Sequence, residues 1–290
     1  MAGPCPCGGD QWDETGYAAA WGKRRCTRCG LLTPAKPPCS RDLTAWYETE
    51  YWKHYCEEQT GTERDNLYAH ALAWLDRESP GRGAVLDVGC GGGRFLSLCR
   101  ADGWQAVGVE PSPEAAAHAR RRGIEVHGRS WPVPSLPDES FDAVTFINVL
   151  DHLPDPFEAL REARRVLKLG GLLYVRVPNA PLHAWLRRLF VSGGLGTMAV
   201  LHLYGFGRRT FKLLLPRIGF TPIAVRTAPP ASGYPYQNRV VPPAWQFRAL
   251  KRADQAAYWL SRLLGLDRLG WGPSLEVLAK KTSVFMGGHP

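Results

Sequence analysis

The sequence lacks a hydrophobic run suited to crossing a membrane. Its one charge-free stretch of nearly sufficient length, residues 189–207, contains five glycines and a histidine, which suit a loop better than a membrane helix. We interpret this stretch as a loop over a pocket. A basic segment followed by an apolar one, as in a secretory signal, is also missing from the start of the sequence. We therefore expect a cytoplasmic protein, whose thiols stay reduced.

Acidic residues are fewer than basic ones, and long charge blocks are absent. The 27 acidic and 36 basic residues leave a net charge of +9. An anionic partner, such as nucleic acid or an acidic membrane, is one hypothesis; a basic soluble protein with dispersed charge is the other. The 290 residues, 44% of them hydrophobic, are enough for one large α/β domain and a small appendage.

Four cysteines cluster in the first 30 residues, as C-x-C (Cys5, Cys7) and C-x-x-C (Cys26, Cys29). Thiolates at this spacing can bind one Zn²⁺ tetrahedrally, and the metal would supply folding energy to a segment too short for a core. Four thiolates leave no open position, so the predicted zinc is structural. Two alternatives stay open: Cys39 replaces Cys5, or the segment is a disordered leader without metal.

Composition divides the chain into three parts. A proline-rich break at residues 33–40 makes residues 1–40 a zinc-binding, ribbon-like module with its linker. Residues 41–80 predict helices whose aromatics recur near helical spacing. These helices either pack on the following domain or form a wall or lid over its pocket. Residues 81–290 form the main domain, with an insert at 228–272.

A strand, a glycine turn and a helix follow one another in AVLDV-GCGGG-RFLSLCRADG. The glycines let a ligand approach the turn, and the helix start offers free N–H groups. About 20 residues further on, a second strand ends at Glu110, whose carboxylate could bind both hydroxyls of a ribose. Arg94 replaces the third glycine of a dinucleotide site, and no P-loop is present. The cofactor is therefore expected to be a nucleoside with an amino-acid tail.

These segments resemble class I S-adenosylmethionine-dependent methyltransferases. VLDVGCGGGRFL, VGVEPSPEAAAHAR and SFDAVTFINVLDHLPDPFEALREARRVLKLGGLLYVRVPN are similar, in order, to their motifs. HLYGFGRRTFKLLLPRIGF resembles a small-molecule subfamily that often has an N-terminal cysteine ribbon and a Tyr-rich segment like YETEYW. The resemblance implies a Rossmann-like α/β fold with a seven-stranded sheet, the last strand antiparallel, and helices on both faces.

The resemblance also assigns binding roles to residues by their positions in the motifs. Asp87 and the turn around Cys90 would line the methionine end of S-adenosylmethionine, and Glu110 the ribose. Pro111 and Ser112 would flank the adenine, and Asn148 and Val149 would face the sulfonium. Arg129 stands where the family often has an acidic or small polar residue near the adenine amine, so Ser130 or, by stacking, Trp131 would serve instead. The turn residues concerned are Gly89, Cys90 and Gly91.

Methyl transfer to a protonated acceptor needs a base, and histidine is suited to that role near neutral pH. His202, in the glycine-rich loop after the fifth strand, is the preferred candidate, and His152 in NVLDHLP is the second. For each, the alternative is a histidine hydrogen-bonded locally. NVLD differs from the N/D-P-P-Y/F motif of enzymes that methylate base amines. An oxygen, carbon or small-molecule nitrogen acceptor is therefore expected.

The C-terminal part predicts the last two strands, GFTPIAVRT and SLEVLAKK, and between them a basic amphipathic helix within residues 244–265. This helix either packs in the core or a dimer, or lies on a membrane surface. Three functions follow: a methyltransferase for a sugar, polyketide, quinone-like or lipid-linked acceptor; an RNA methyltransferase; or a non-catalytic cofactor-binding module. The first is preferred, and nucleic acid is not the expected partner.

Overall fold

The computed structural model describes residues 4–15, 22–182, 184, 202–231, 252, 255–256 and 258–283. The N-terminal residues 4–15 and 22–34, here called the ribbon, contain three short antiparallel strands in the order β1-β2-β3. These strands are β1 (Trp12–Glu14), β2 (Lys23–Cys26) and β3 (Leu32–Pro34). Three helices follow the ribbon: α1 (Ser40–Thr49), α2 (Tyr51–Thr60) and α3 (Asp65–Glu78).

The main domain alternates strands and helices before ending in two antiparallel pairings. Its strands are β4 (Ala84–Val88), β5 (Gln105–Val109), β6 (Glu125–His127), β7 (Phe141–Ile147), β8 (Leu167–Pro178), β9 (Phe220–Thr227) and β10 (Ser274–Lys281). Its helices are α4 (Arg94–Ala101), α5 (Pro113–Arg121), α6 (Pro156–Val166) and α7 (Arg208–Ile218). A 3₁₀ turn covers Leu266–Leu269.

The seven strands form one sheet in the order β6-β5-β4-β7-β8-β10-β9. Neighbours pair in parallel from β6 to β8, and β10 pairs antiparallel with both β8 and β9. The predicted Rossmann-like fold with an antiparallel last strand is therefore confirmed. Because the central strands are covered on both faces, they are continuous apolar runs such as AVLDV rather than alternating patterns.

The two faces of the sheet carry different partners. One apolar cluster combines α3, α4 and α5 with strand residues such as Val85. The other combines α6, α7 and the ribbon cysteines with Leu86 and Val88, which alternate with Val85 along β4. Helices therefore cover both faces, as predicted, and the ribbon shares a core with α6 and α7.

Two predicted segments of the chain fall largely outside the described residues. Residues 185–201 hold most of the predicted pocket loop, and 232–251 hold the first part of the predicted basic helix. Within the described ranges, no helix is long and apolar enough for a bilayer span. In the described end of the basic helix, Tyr258 is buried at 5% exposed, whereas Leu260 and Leu264 are 56% and 60% exposed, so one side of this end packs on the domain and the other faces outward.

Candidate active site

The glycine turn between β4 and α4 has a backbone conformation and close contacts that favour glycine over other residues. Gly89 and Gly93 have φ of +73° and +76°, in the left-handed region. A Cβ added to Gly89 would lie 2.5 Å from a methyl of Val149, and one added to Gly93 would lie 2.8 Å from the Cβ of Ala119. The turn therefore brings β4, α5 and the end of β7 into close contact.

Glu110 directly follows β5, and its carboxylate is held by backbone amides. The amide of Gly91 donates to Oε2 and the amide of Ser112 donates to Oε1, both at 2.9 Å. The residue is 3% exposed, and burial raises the pKa of its carboxyl to about 7. Each oxygen keeps a further lone pair. The carboxylate can therefore accept two hydrogen bonds from a vicinal diol, as predicted for the ribose.

Asp87 lies two residues before the turn and is also buried. It is 4% exposed, and its Oδ1 accepts a 2.6 Å hydrogen bond from the hydroxyl of Thr145 on β7. Burial raises the pKa of Asp87 to about 7, and the charge of Glu110 raises it further against the lowering hydrogen bond from Thr145. Two buried carboxyl groups thus stand at the same edge of the sheet.

Asn148 and Val149 follow β7 at the same edge. Asn148 has φ of +59°, a conformation that asparagine tolerates better than most residues. Its amide donates to the carbonyl of Arg176 at 2.8 Å, and its side-chain oxygen accepts from the Arg176 guanidinium. The carboxyl ends of β5, β4 and β7 therefore bring together the residues predicted for the ribose, the methionine tail and the sulfonium.

Other predicted cofactor residues have different surroundings. The Ser112 hydroxyl accepts from the amide of Ala115 at 3.4 Å and so caps α5, while Pro111 is only partly buried beside it. The Cys90 thiol is buried against Gly108, so only the backbone of Cys90 faces the turn. Ser130 is exposed.

Trp131, which was predicted to stack on the adenine, packs in the core in this structure. Its ring is 7% exposed and packs edge-to-face on Phe146, with centroids 6.3 Å apart. Its indole N–H donates to the carbonyl of Ala159 on α6 at 3.1 Å. The indole donor and most of the ring surface are therefore used in the protein core.

The two candidate bases lie side by side although 50 residues of sequence separate them. The ring centroids of His152 and His202 are 4.8 Å apart. Asp151, only 1% exposed, contacts Nδ1 of His202 with Oδ2, which is 3.7 Å from Nε2 of His152. The sequence analysis missed Asp151, although it stands directly before His152. Ligand atoms of the three residues lie within 4.8 Å of one another, so the group could also hold a metal ion.

The charges in this group influence one another. Burial favours a raised pKa for Asp151, but the charges of His152 and His202 outweigh it and lower the pKa. Burial lowers the pKa of His152, and the carboxylate of Asp151 opposes that change. A base that is neutral near physiological pH, beside a carboxylate that stays charged, suits proton abstraction.

Aromatic residues of α1 and α2 form one cluster, which Gln59 joins to the glycine turn because its side-chain amide donates to the Tyr51 hydroxyl at 2.8 Å. The rings of Tyr51 and Tyr55 stack at 5.0 Å, and Tyr47 lies 5.4 Å from Tyr51. Burial raises the pKa of Tyr47, as do the charges of Asp151 and Glu110. Gln59 packs on the glycine turn, since a Cβ on Gly91 would lie 2.0 Å from its Oε1. Helix α2 thus lies against the glycine turn, and both predicted roles of the first helices, packing on the domain or covering its pocket, stay predictions.

The four predicted metal ligands converge in the ribbon. Sγ of Cys5 lies 3.6 Å from Sγ of Cys29, and Cys7 lies at the same distance from Cys26. All four are at most 3% exposed. A Zn²⁺ ion at about 2.3 Å from four sulfurs would separate them by about 3.8 Å, so the cluster fits a tetrahedral thiolate site. Cys39 is exposed and outside this group, which contradicts its alternative role.

A Rossmann-like sheet whose glycine turn, Asp87 and Glu110 meet at its carboxyl edge defines a nucleoside-cofactor domain. Residues 61–225 match the methyltransferase domain family, and the chain belongs to this family. Family membership supports S-adenosylmethionine as the cofactor. The glycine turn fits the amino-acid tail of this cofactor. The Glu110 carboxylate, which accepts hydrogen bonds from two backbone amides, fits its ribose.

Curated relatives and solved structures agree with this assignment. The chain is 32% identical over 129 residues to a ubiquinone biosynthesis O-methyltransferase of Idiomarina loihiensis, covering 42% of this chain and 50% of that protein. It is 40% identical over 102 residues to the protein of the same name from Xanthomonas oryzae pv. oryzae, covering 33% and 43%. The chain thus spans about half the length of these relatives.

The fold likeness extends further than the sequence likeness. A SAM-dependent methyltransferase from Thermotoga maritima superimposes with a TM-score of 0.54 at 22% identity, covering 83% of this chain and all of that one. Geranyl diphosphate C-methyltransferase from Streptomyces coelicolor A3(2) gives a TM-score of 0.50 at 16% identity, covering 76% and 80%. At these identities the likeness concerns the fold alone.

Proposed function

We propose that this protein transfers a methyl group from S-adenosylmethionine to a hydroxyl oxygen of a small-molecule acceptor. The observation that carries the proposal is the Asp151–His202 contact, with His152 beside it, at the edge of the sheet that holds the cofactor residues. When bound, the cofactor supplies an electrophilic methyl group on a positively charged sulfur and leaves as neutral S-adenosylhomocysteine. The acceptor must lose its hydroxyl proton as the new O–C bond forms.

His202 is proposed to accept that proton. Its Nδ1 faces the Asp151 carboxylate, and in this proposal Nδ1 carries the proton of the neutral ring. Nε2 is then the basic atom. Asp151 is buried and keeps its negative charge, which stabilises the imidazolium that forms. Because the cofactor is already activated, the remaining contribution of the protein is to position the acceptor and exclude water.

The aromatic rings near the site support a flat, hydroxylated ring as acceptor. Tyr47, Tyr51 and Tyr55 form a continuous set of ring contacts beside Asp151 and Glu110. Aromatic faces bind flat apolar rings by offset or edge contacts. The curated relatives are named for O-methylation in ubiquinone biosynthesis. A quinone-like phenol is therefore the first acceptor class to screen, ahead of sugars and polyketides.

Zn²⁺ is the proposed occupant of the four-cysteine cluster. The convergence of four buried sulfurs, at separations suited to a tetrahedral site, supports it. The proposed role is structural, since four thiolates leave no coordination position for a reactant.

Peripheral membrane contact through residues 244–265 is a further proposal, and a cytoplasmic location remains a prediction. In the described end of this segment Trp259, Leu260 and Leu263 are 64%, 56% and 83% exposed, next to exposed Arg262. Apolar side chains beside arginine suit an anionic lipid surface. Leu263→Glu should reduce sedimentation with phosphatidylglycerol vesicles, whereas Leu169→Glu, which changes a 62% exposed leucine on β8, should not. Equal sedimentation of the two variants would contradict the proposal.

Calorimetric binding of S-adenosylhomocysteine tests the main proposal, because it needs no acceptor. We expect micromolar affinity that weakens at least tenfold in Glu110→Ala, since each lost hydrogen bond to a charged acceptor costs about 1.5–3 kcal/mol. Glu125→Ala, which changes an exposed glutamate on β6, is the matched control and should bind like the wild type. Absence of binding, or equal binding by Glu110→Ala, would exclude the proposed cofactor site.

A further inference from the structure

Lys23 of the ribbon ends at the backbone of the candidate base. Although lysine is rarely buried, this residue is only 8% exposed. Its ammonium donates to the carbonyl of His202 at 2.6 Å and also to the carbonyl of Leu203. Burial lowers the pKa of Lys23 to about 8, and the charge of Asp151 acts in the opposite direction. The buried ammonium of Lys23 is therefore hydrogen-bonded to the backbone of the proposed base, His202, and interacts with the charge of Asp151.

Residues 202–206, here called the His202 segment, are held by hydrogen bonds on two sides. On one side, the amides of Leu203 and Tyr204 donate to the carbonyl of Asp151 at 2.9 and 3.0 Å. On the other side, Leu32 of β3 exchanges two backbone hydrogen bonds of 2.9 Å with Gly205. The ribbon and the turn after β7 thus hold opposite sides of the His202 segment.

The close approach of the two chains at Gly205 leaves no room for a side chain. A Cβ on Gly205 would lie 2.8 Å from the Cβ of Ala180 and 2.9 Å from Leu32. Further along, the hydroxyl of Thr210 donates to the carbonyl of Cys29, a proposed zinc ligand, at 3.1 Å. The cysteine cluster itself belongs to the same apolar core as Phe206 and Phe211. The ribbon therefore shares hydrogen bonds and an apolar core with the His202 segment and α7.

The ribbon's own strands give no reason for a buried lysine at this position. The backbone of Lys23 pairs with Pro34 inside the ribbon, and none of its hydrogen bonds from the ammonium returns to the ribbon among the described residues. Its donors end instead on the two carbonyls next to the proposed base. Fixing these carbonyls fixes the backbone from which the His202 imidazole extends toward Asp151.

We infer that Lys23 is a positioning residue for methyl transfer, and that the ribbon braces the His202 segment so that the imidazole stays in contact with Asp151. This inference rests on the proposed function, in which His202 accepts the acceptor proton. A displacement of about 1 Å at a reacting group can cost up to about a hundredfold in rate. The ribbon thereby contributes to catalysis without touching cofactor or acceptor.

The test replaces Lys23 with methionine, which keeps the length and removes all three donors. Lys36→Met, an exposed lysine in the segment after β3, is the matched control. With a quinone-like phenol as acceptor, we expect kcat to fall tenfold or more in Lys23→Met, while the affinity for S-adenosylhomocysteine stays within twofold. ¹⁵N-histidine NMR should show the imidazole resonances of His202 changed. Lys23→Gln, which keeps amide donors, should restore part of the rate, and Lys36→Met should match the wild type in every assay.

Three results would overturn the inference. In the first, Lys23→Met keeps kcat within twofold and leaves the histidine resonances unchanged. In the second, it loses cofactor affinity and kcat together, as for a general structural role. In the third, neither Lys23→Met nor Lys23→Gln folds, which would make the lysine a stability residue. Cofactor binding and histidine NMR need no acceptor. Failure of the proposed function would therefore appear separately, as a wild type without cofactor affinity.

Discussion

Replacing Asp151 with asparagine tests the proposed base most directly. Asp151 is 1% exposed and contacts His202 while lying 3.7 Å from His152, so the substitution removes a buried charge at almost constant volume. A hydrogen bond to a charged partner contributes about 1.5–3 kcal/mol. If that stabilisation is available only once the imidazolium forms, its loss slows methyl transfer about 10- to 150-fold.

The substitution Asp151→Asn should also shift the pH dependence of the methyl-transfer rate in a defined direction. The carboxylate of Asp151 raises the pKa of His152, while burial lowers it. In Asp151→Asn the raising effect is lost, while burial and the charges of His202, Arg64 and Lys23 still lower the pKa of His152, so it should fall further. A base with a lower pKa is deprotonated at lower pH, so any limb of the pH–rate profile that reports His152 should move to more acidic pH.

Single-turnover rates and ¹⁵N-histidine titrations together provide the measurement. Asp138→Asn, which changes a carboxyl whose side chain is 73% exposed, is the control and should leave both unchanged. The affinity for S-adenosylhomocysteine should stay within twofold in both variants. An Asp151→Asn variant with wild-type turnover and an unchanged His152 titration would refute the role of this carboxylate.

Three further outcomes follow from the buried carboxyls and the ribbon. The affinity for S-adenosylhomocysteine should fall as the pH drops below about 7, the raised pKa of Glu110, because protonation replaces an acceptor with a donor; calorimetry at several pH values checks this, and a flat profile would contradict it. The pKa of Asp87 rises from 3.8 to about 7 on folding, so the folded state binds the proton more tightly and loses stability as the pH rises through that window. Asp87→Asn should therefore raise the unfolding midpoint in denaturant at pH 8 but not at pH 4. Metal analysis should find one zinc per chain, and Cys26→Ser should lose it with a lower melting temperature, whereas Cys39→Ser should not; equal zinc content in both variants would exclude the four-cysteine site.

The sheet and the cofactor edge could be predicted because local signals define them. Apolar runs mark strands that are covered on both faces, and a glycine turn followed by a helix marks where the first of them ends. Glu110 is recognisable because it directly follows the next strand, and parallel neighbours end at the same edge of the sheet. The four cysteines were recognisable because metal spacing is itself a local pattern.

The contacts around the base were less accessible to sequence reasoning. Lys23 and His202 are 179 residues apart, and no periodic pattern connects them. Asp151 stood beside His152, but only folding shows that its carboxylate also reaches His202. The packing of Trp131 could not be predicted, because a tryptophan after a strand looks the same in the sequence whether its ring binds a base or fills the core. Its partner, the Ala159 carbonyl, lies on a later helix.

The position of Gln59 has a consequence for the order of events during turnover. Its side chain and its backbone carbonyl both lie close to the glycine turn, where the methionine tail of the cofactor is expected to lie. Because Gln59 occupies the space beside the turn, we expect α2 to shift outward when spent cofactor is exchanged for fresh, even if the acceptor reaches the site from another side. The exchange of the nucleoside, rather than the methyl transfer itself, is then the step whose speed would respond to solvent viscosity and to substitutions on the outer surface of α2.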